Sequence, residues 1–273
     1  MEKQFRLTAS VFVPIFLMVI LSCSILAQEK TPKPTPAKAQ PTPTAAKGVV
    51  KITAPEQVAD TALFFYSGGR NTLDQLRKTT SERGKMLLTT PGGTQQINYH
   101  RFAIRGETLS KDKIRLDQEL PTASFSLVFN DEKTLGSANN VVFTPREDTV
   151  NGFEDQIFHS IDALLRYKAN ESKIELAPNE KHYGVEFYVV DVTDKQGRKT
   201  RFFVSAKTFR IMMLTYENNG VRYRRKFYDY NYAQGTLVPF RSVLWADEKQ
   251  IEETEIGTIT FSQKVDEGLF KLN

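Results

Sequence analysis

Cysteine is nearly absent from this 273-residue sequence, which contains one such residue, Cys23. A single cysteine excludes an intramolecular disulfide framework and a metal site built from several thiolates. The three histidines, His100, His159 and His182, do not have the spacing of a metal site either. We therefore expect neither a metal nor another cofactor.

Signature motifs of catalysis are also missing. There is no Gly-x-Ser-x-Gly nucleophile elbow, and the glycine pairs at 68–69 and 92–93 lack the lysine and the strand-to-helix setting of a phosphate-binding loop. Carboxylate pairs such as Glu252-Glu253 flank a strand that we expect to be exposed. There they are more typical of protection against edge pairing than of acid-base catalysis. The sequence thus predicts no catalytic residues and a protein that is not an enzyme.

Long hydrophobic runs are absent beyond the first part of the chain. There, Lys3 and Arg6 precede an apolar run over residues 11–21, which is shorter than the roughly 20 residues needed to span a bilayer. This is the pattern of a cleaved secretory signal, and Ala27 is a small residue that suits the position before the cut. We expect residues 1–27 to be removed and the mature protein to be exported, soluble and periplasmic.

Two alternatives stay open for this first segment. Residues 20–23 are similar to a lipobox, in which Cys23 would be lipidated and would anchor the mature protein to a membrane. Ser22 fits that motif, whereas Leu21 is bulky for its position, so we expect the cut after Ala27 instead. The other alternative is an uncleaved membrane anchor, but no stop-transfer pattern follows the apolar run.

Large apolar residues are missing from residues 28–47, which consist mainly of Pro, Thr, Ala, Lys and Gln. Such a composition cannot build a core, and closely spaced prolines favour an extended chain. We therefore expect a disordered tether, rich in Pro, Lys and Thr, over residues 28–50.

A strong excess of one charge is likewise absent from the rest of the chain. The net charge is +5, of which residues 28–50 carry +3 and residues 1–27 carry +1. The remaining +1 does not favour a polyanionic partner, so we expect no binding to nucleic acid. Arginines and tyrosines do interleave over residues 222–232, as they do in single-strand binders. We interpret that segment as a solvated strand face or as a membrane or partner surface.

Residues 51–273 contain no second linker, which favours a single domain. Apolar residues at helical spacing predict a helix from Pro55 to the glycines at 68–69, a second over 72–83 and a third over 151–167. Runs rich in β-branched and aromatic residues, separated by turn residues, predict antiparallel strands. These strands cover residues 85–91, 95–105, 113–118, 124–129, 182–193, 199–206, 210–217, 221–230, 236–246 and 250–262.

Alternation within the later strands predicts a ligand site. In the strand 221–230, apolar and aromatic residues alternate with basic ones, which indicates one dry face and one wet face. Nineteen Phe and ten Tyr also provide more aromatic surface than two or three helices readily cover. We therefore predict an apolar cavity on the concave face of the sheet. Its lining, named from alternation, is Val185, Phe187, Phe202, Val204, Met212, Leu214, Tyr223 and Phe227.

The order of motifs over residues 180–273 resembles the outer-membrane lipoprotein carrier (LolA/LolB-like) superfamily, whereas residues 54–130 share with it only a helix followed by successive strands. The motifs are Phe202-Phe203-Val204-Ser205-Ala206-Lys207-Thr208, Ile211-Met212-Met213, Phe227-Tyr228-Asp229-Tyr230, Gly235, Val238-Pro239-Phe240, Ile259-Thr260-Phe261 and Leu269-Phe270.

This resemblance implies an α+β fold that is mainly β. In it, a strongly curved antiparallel sheet forms an incomplete barrel, with helices packed in its opening. The resemblance also implies a carrier-like, non-catalytic protein that binds lipid or lipoprotein acyl chains. The alternative on the same fold is an envelope sensor or interaction module that binds a membrane-anchored protein partner.

Overall fold

Strands dominate the part of the chain that the structure, a computed structural model, describes: residues 52–90, 92–120, 123–139 and 141–272. The predicted signal at 1–27, Cys23 and the predicted tether at 28–50 lie outside these residues. Within the described part, the α-helices are α1 (Pro55–Ser67), α2 (Arg70–Leu76), α3 (Glu147–Phe158) and α4 (Ile161–Leu165).

Thirteen strands accompany these helices in the described ranges, together with two short 3-10 turns at Leu109–Lys111 and Glu267–Phe270. The strands are β1 (Thr79–Thr90), β2 (Gly93–Ile104), β3 (Lys113–Glu119), β4 (Ser124–Asn130), β5 (Lys133–Ala138), β6 (Val141–Phe143), β7 (Lys173–His182), β8 (Val185–Thr193), β9 (Lys199–Ser205), β10 (Ile211–Asn218), β11 (Val221–Ala233), β12 (Thr236–Ala246) and β13 (Lys249–Phe261).

All thirteen strands join one antiparallel sheet in the order β6-β5-β4-β3-β2-β1-β13-β12-β11-β10-β9-β8-β7. Because β1 pairs with β13, the first and last strands lie side by side in the middle of the sheet. The two edges, β6 and β7, do not pair with each other, so the barrel stays open. The chain runs from one edge to the other through α3 and α4. The predicted incomplete barrel with helices in its opening is confirmed.

The helices cover one face of the sheet in two groups. α1, α2 and α4 pack onto β8 to β12, in a core that includes Leu63, Leu164 and Phe202. α3 packs onto β1 to β4 through Phe153 and Ile157. We call these cores the C-terminal cluster and the N-terminal cluster, and the face that they occupy the inner face. None of the described helices is long and apolar enough to cross a bilayer.

The bounds of α1 follow from its sequence. Pro55 occupies the first turn, where a missing N–H costs nothing, and the Gln57 Oε1 atom accepts hydrogen bonds from the N–H groups of Thr53 and Ala54 at 2.9 and 3.2 Å. Gly68 ends the helix with a φ of +76°, and its N–H donates to the carbonyl of Phe64. This helix is the one that the sequence predicted most closely.

The other two helix predictions need correction. The helix predicted over 72–83 ends at Leu76, because Thr80 at the start of β1 pairs with both β13 and β2 in the middle of the sheet. Pairing on both sides overrides a local helical pattern. The helix predicted over 151–167 begins earlier, at Glu147, and breaks at His159, so that α3 and α4 are separate helices.

Three strands were missed by the sequence analysis. They are β5, β6 and β7, and β6 and β7 form the edges of the sheet. β7 carries mostly polar residues, so its apolar alternation is weak, and β6 has only three residues, Val141–Phe143, which is too short a run for a period of two to be recognised.

Candidate functional site

A cavity of about 240 Å³ lies between the inner face of the sheet and the connection formed by α3 and α4. It occupies the space between the N-terminal and the C-terminal clusters, and residues of both clusters line it. Part of the lining is apolar, including Ile114, Leu116, Phe227, Val238 and Ile259. The remainder is unusually rich in charge: Arg77, Glu82, Arg101, Arg105, Asp112, Asp162, Arg225 and Glu252.

Strand geometry accounts for the position of these charges. Alternate residues of a strand point to the same face, and Tyr99, Arg101 and Ala103 of β2 all line the cavity. Across the sheet, Glu82 is the register partner of Arg101, and Glu252 is the partner of Leu244. The sheet therefore presents basic and acidic side chains to the space that the helices enclose.

Asp162 of α4 connects the helix to the central strands. Its carboxylate accepts from Arg105 Nη2 at 2.7 Å and from Arg77 Nη1 at 3.3 Å. Burial alone would raise the pKa of Asp162, but Arg105, Arg77 and other nearby guanidinium groups outweigh burial and hold the pKa well below its usual value. Asp162 therefore stays ionised and attaches α4 to the segment around β1 and β2.

A second ion pair lies beneath the end of α4. Arg166 Nη1 donates to both Asp112 oxygens at 3.0 and 2.8 Å, and its Nη2 donates to the carbonyl of Gly106 at 2.7 Å. The two charged side chains are 4% and 10% exposed. The Gly106 N–H also donates to Asp112, so the carboxylate has several donors, as a buried charge requires.

A third buried pair joins β11 to β13 inside the cavity. Arg225 Nη1 lies 2.9 Å from Glu252 Oε1, and the side chains are 13% and 8% exposed. Gln156 of α3 and Thr254 donate further hydrogen bonds to Glu252. The prediction that Glu252 flanks an exposed strand is therefore wrong, because the β13 register turns its side chain inward beside Arg225.

Glu82 and Arg101 complete the charged lining. Glu82 accepts a hydrogen bond of 2.7 Å from the hydroxyl of Tyr99. Burial and the Glu82 carboxylate raise the pKa of that hydroxyl, so Tyr99 remains a donor. Arg101, among the described residues, makes no ion pair within 4.0 Å and no side-chain hydrogen bond.

Among the histidines, His159 is the one at the cavity wall. Its Nδ1 atom lies 2.7 Å from Thr200 Oγ1, and its ring stacks on Tyr216 at a centroid distance of 3.9 Å. Burial, together with the nearby Arg198 cation, lowers the pKa of His159 to about 4. The imidazole is therefore neutral at pH 7, and it ends α3 as a packed core group.

This depressed pKa predicts a loss of stability in mild acid. The folded-state pKa of about 4 lies below the ordinary value of about 6.5, so the unfolded chain takes up the proton first as pH falls. The contribution is complete above pH 6.5 and is lost between pH 6.5 and 4. We expect it to lower the free energy of unfolding by about 2 kcal/mol between pH 7 and pH 5.

Urea denaturation at the two pH values measures this loss. A His159→Gln variant should lose about 2 kcal/mol less than the wild type between pH 7 and pH 5. His182→Gln, at an exposed position beside Glu180, is the control and should lose as much as the wild type. An equal loss in His159→Gln and the wild type would contradict the assignment.

The eight residues predicted to line an apolar cavity do not share one face. Phe202, Val204, Leu214, Tyr223 and Phe227 belong to or pack against the C-terminal cluster on the inner face. Phe187 and Met212 pack in a third cluster, the outer cluster, together with Val189 and Phe203 on the opposite face. Val185 has the same parity as Phe187 in β8 and is 42% exposed.

Two physical causes explain why the eight predicted residues lie on both faces of the sheet. Val190 and Tyr188 of β8 are the partners of Phe202 and Val204, so the even-numbered residues of β8 face inward. Both faces of β8 are apolar, and alternation alone cannot choose between them. A register shift between Ile211 and Met213 then places Met212 out of phase with Leu214.

Most of the predicted lining residues on the inner face belong to the packed core of this structure. Phe202, Val204 and Leu214 are fully buried beneath α1 and α4, whereas Phe227 lines the cavity. The charged lining was missed, although alternation through Tyr223 and Phe227 would have placed Arg225 on the same face. Within the described residues, no group of three or more potential metal ligands occurs.

Neither a protein-family model nor a curated protein matches the sequence. Solved structures match the fold. A DUF1329 family protein from Desulfovibrio piger has a TM-score of 0.59 and 11% identity, and the match covers 80% of this chain and 98% of that one. For a LolA superfamily protein from Nitrosomonas europaea the TM-score is 0.58 and the identity 10%, over 81% and 98% of the two chains.

A domain assigned to outer membrane lipoprotein sorting, from Vibrio parahaemolyticus, matches with a TM-score of 0.56 and 13% identity. That match covers 78% of this chain and 94% of the other. At these low identities the comparisons establish a common architecture. This chain has the fold of the LolA superfamily, as its motifs predicted.

Proposed function

We propose that this chain is a non-catalytic binding protein of the cell envelope, which holds lipid or lipoprotein acyl chains between its curved sheet and its helices. The apparent secretory signal at residues 1–27 supports export, and cleavage after Ala27 would release a soluble periplasmic carrier. Lipidation of Cys23 would instead give a membrane-anchored protein with the same site. The fold shared with a lipoprotein-sorting domain supports this class of ligand.

The observation that carries the proposal is the cavity between the helices and the inner face. Ligand sites are typically concave, mostly preformed and lined by apolar groups with a few convergent polar ones. The wall formed by Ile114, Leu116, Phe227 and Ile259 offers apolar contacts of that kind. In this proposal the ligand is held there and released unchanged.

The cavity is smaller than a long acyl chain requires. Its volume of about 240 Å³ lies below the roughly 300–1,000 Å³ of ordinary small-molecule sites. A chain could extend into the C-terminal cluster if α4 moved away from Phe202 and Leu214. Acyl contacts would then replace helix contacts on the same apolar surface, so the exchange would expose little apolar area.

The full chain, purified after export, provides the test. Mass spectrometry of an organic extract should recover lipid in stoichiometric amount, and a fluorescent acyl probe should bind with an increase in emission. Absence of both lipid and probe binding would overturn the proposal.

A matched pair of variants on β13 tests the location. Thr254 lines the cavity, whereas Thr260, also half-buried, donates to the carbonyl of Ser81 away from it. Thr254→Phe should fill the cavity and weaken probe binding by at least about tenfold, a loss of about 1.4 kcal/mol. Thr260→Phe should bind like the wild type, and equal binding by both variants would place the ligand elsewhere.

A second candidate function is an interaction module for a membrane-anchored protein. It is favoured by Phe64 and Phe65 on α1, which are 63% and 38% exposed beside the helices that cover the cavity. A pull-down from envelope extract with the wild type should recover a partner that a Phe64→Ser variant does not. Recovery of the same proteins by both would count against this candidate.

A further inference from the structure

We propose that the ligand is an amphiphile with an anionic headgroup, a carboxylate or a phosphate, and that Arg101 binds this headgroup inside the cavity. The inference rests on the proposed function and adds the ligand class and the residue that recognises it.

The first support is the allocation of acidic partners among the cavity arginines. Arg77 and Arg105 share Asp162, Arg105 also pairs with Asp74, and Arg225 is paired with Glu252. Asp112, the remaining aspartate of the lining, is held by Arg166 from beneath α4. Each of these acids therefore already has a guanidinium partner.

Glu82 is the acid nearest to Arg101 along the sheet, as its register partner on β1. Its carboxylate accepts the short hydrogen bond from Tyr99 instead, and no Arg101–Glu82 ion pair within 4.0 Å is present among the described residues. The guanidinium of Arg101 thus lines the cavity with its donors free for a ligand.

The second support is an unsatisfied donor in the same wall. The Nε atom of Arg77 is buried and has no protein hydrogen-bond partner. Buried donors without acceptors are costly, and they are commonly satisfied by water or by a ligand. Arg77 lines the cavity, so a shift of its side chain would present this donor to an anion bound there.

The charge balance points in the same direction. Of the four arginines at 77, 101, 105 and 225 in the lining, Arg77 and Arg105 pair with Asp162, Arg105 also pairs with Asp74, and Arg225 pairs with Glu252. Among the described residues, the positive charge of Arg101 therefore has no acidic partner within 4.0 Å. A single anionic headgroup would neutralise it, and such charge-assisted hydrogen bonds are stronger than neutral ones.

The apolar wall argues for an amphiphile over a free inorganic anion. Ala103 is two residues from Arg101 on β2, and its register partner Ile114 also lines the cavity. Leu116, the register partner of Arg101 itself, continues that wall. A headgroup at Arg101 would therefore direct its hydrocarbon tail along apolar side chains of β2 and β3.

Competition for a neutral fluorescent acyl probe bound to the full chain tests this inference. The competitors are dodecanoate, dodecyl phosphate and dodecanol, which have the same tail and differ in the headgroup. We expect at least one anion to displace the probe at a concentration at least about tenfold lower than dodecanol. The order of the two anions distinguishes a carboxylate from a phosphate ligand.

Variants of Arg101 test whether this residue produces the preference for an anionic headgroup. Arg101→Gln should remove the preference for the anion and leave the dodecanol competition unchanged, and Arg101→Lys should keep part of the preference. Arg224→Gln is the control, because Arg224 pairs with Glu248 on the other face of β11 and should keep the full preference.

The outcomes separate the two proposals. Equal competition by the three compounds, with the probe still bound, would overturn the anionic headgroup and leave the proposed function standing. A full anion preference in a folded Arg101→Gln variant would overturn the role of Arg101. Failure of the wild type to bind the probe or any competitor would remove the proposed function and this inference with it.

Discussion

Arg166→Met should lower the free energy of unfolding by about 3–5 kcal/mol. The substitution keeps much of the side-chain volume but removes the three hydrogen bonds to Asp112 and to the Gly106 carbonyl. Asp112 would remain as a buried acid without its cation, and this uncompensated group is what makes breaking a buried ion pair strongly destabilising. Urea denaturation followed by intrinsic fluorescence measures the change.

Arg146→Met is the matched control for this prediction. Arg146 pairs with Asp148 at the start of α3, where the side chains are 84% and 68% exposed. Exposed ion pairs contribute little, so we expect a change within about 1 kcal/mol. Similar effects for the two substitutions would show that the Arg166 ion pair does not hold the end of α4.

Leu164→Ala should cost about 2–5 kcal/mol, because it leaves a cavity in the C-terminal cluster. Leu164 is fully buried between α4 and the inner face, close to the apolar residues that an acyl chain would occupy. Looser packing of α4 should also speed uptake of an acyl probe in stopped-flow measurements, if α4 moves to admit the chain. A loss of stability alone does not test this route, because truncation at any core position is expected to lower stability.

Leu135→Ala supplies the comparison. Leu135 lies on β5 near the edge of the sheet and is 36% exposed, so we expect a loss below about 1 kcal/mol and no change in the rate of uptake. If Leu164→Ala lowers stability as expected but takes up the probe no faster than Leu135→Ala, the route past α4 is wrong.

Turns of the fold were predictable from residue types that tolerate particular backbone conformations. The turn between β10 and β11 is an example, because Asn219 and Gly220 have φ values of +51° and +77°, the region that these residue types tolerate best. Strands in the middle of the sheet were found for a related reason. Most of them are buried on at least one face and carry an apolar alternation, whereas β7 is mainly polar and β6 has only three residues.

The face of each strand was harder to predict, because it depends on pairing. β8 offers Phe187 and Val189 on one face and Val190 and Val192 on the other, so only the register with β9 identifies the inner set. One extra residue at Met212 then reversed the phase in β10. Each such choice exchanges an entire row of side chains between core and surface.

The pairing of the buried charges could not be predicted from local patterns. Arg166 and Asp112 are separated by 54 positions, and Arg77 and Asp162 by 85, so these contacts exist only once the helices lie on the sheet. A lone arginine such as Arg101, within a strand, looks like an ordinary solvated residue. Its significance comes from the acids around it, which are already paired.

The location of a bound acyl chain tests the central claim most directly. A fatty acid with a photoreactive diazirine in its tail, incubated with the full chain and irradiated, can be mapped by peptide mass spectrometry. We predict adducts on inner-face residues at the cavity, such as Leu116, Phe227 and Ile259. Adducts confined to the outer cluster at Phe187 and Met212, or no adducts at all, would contradict the account.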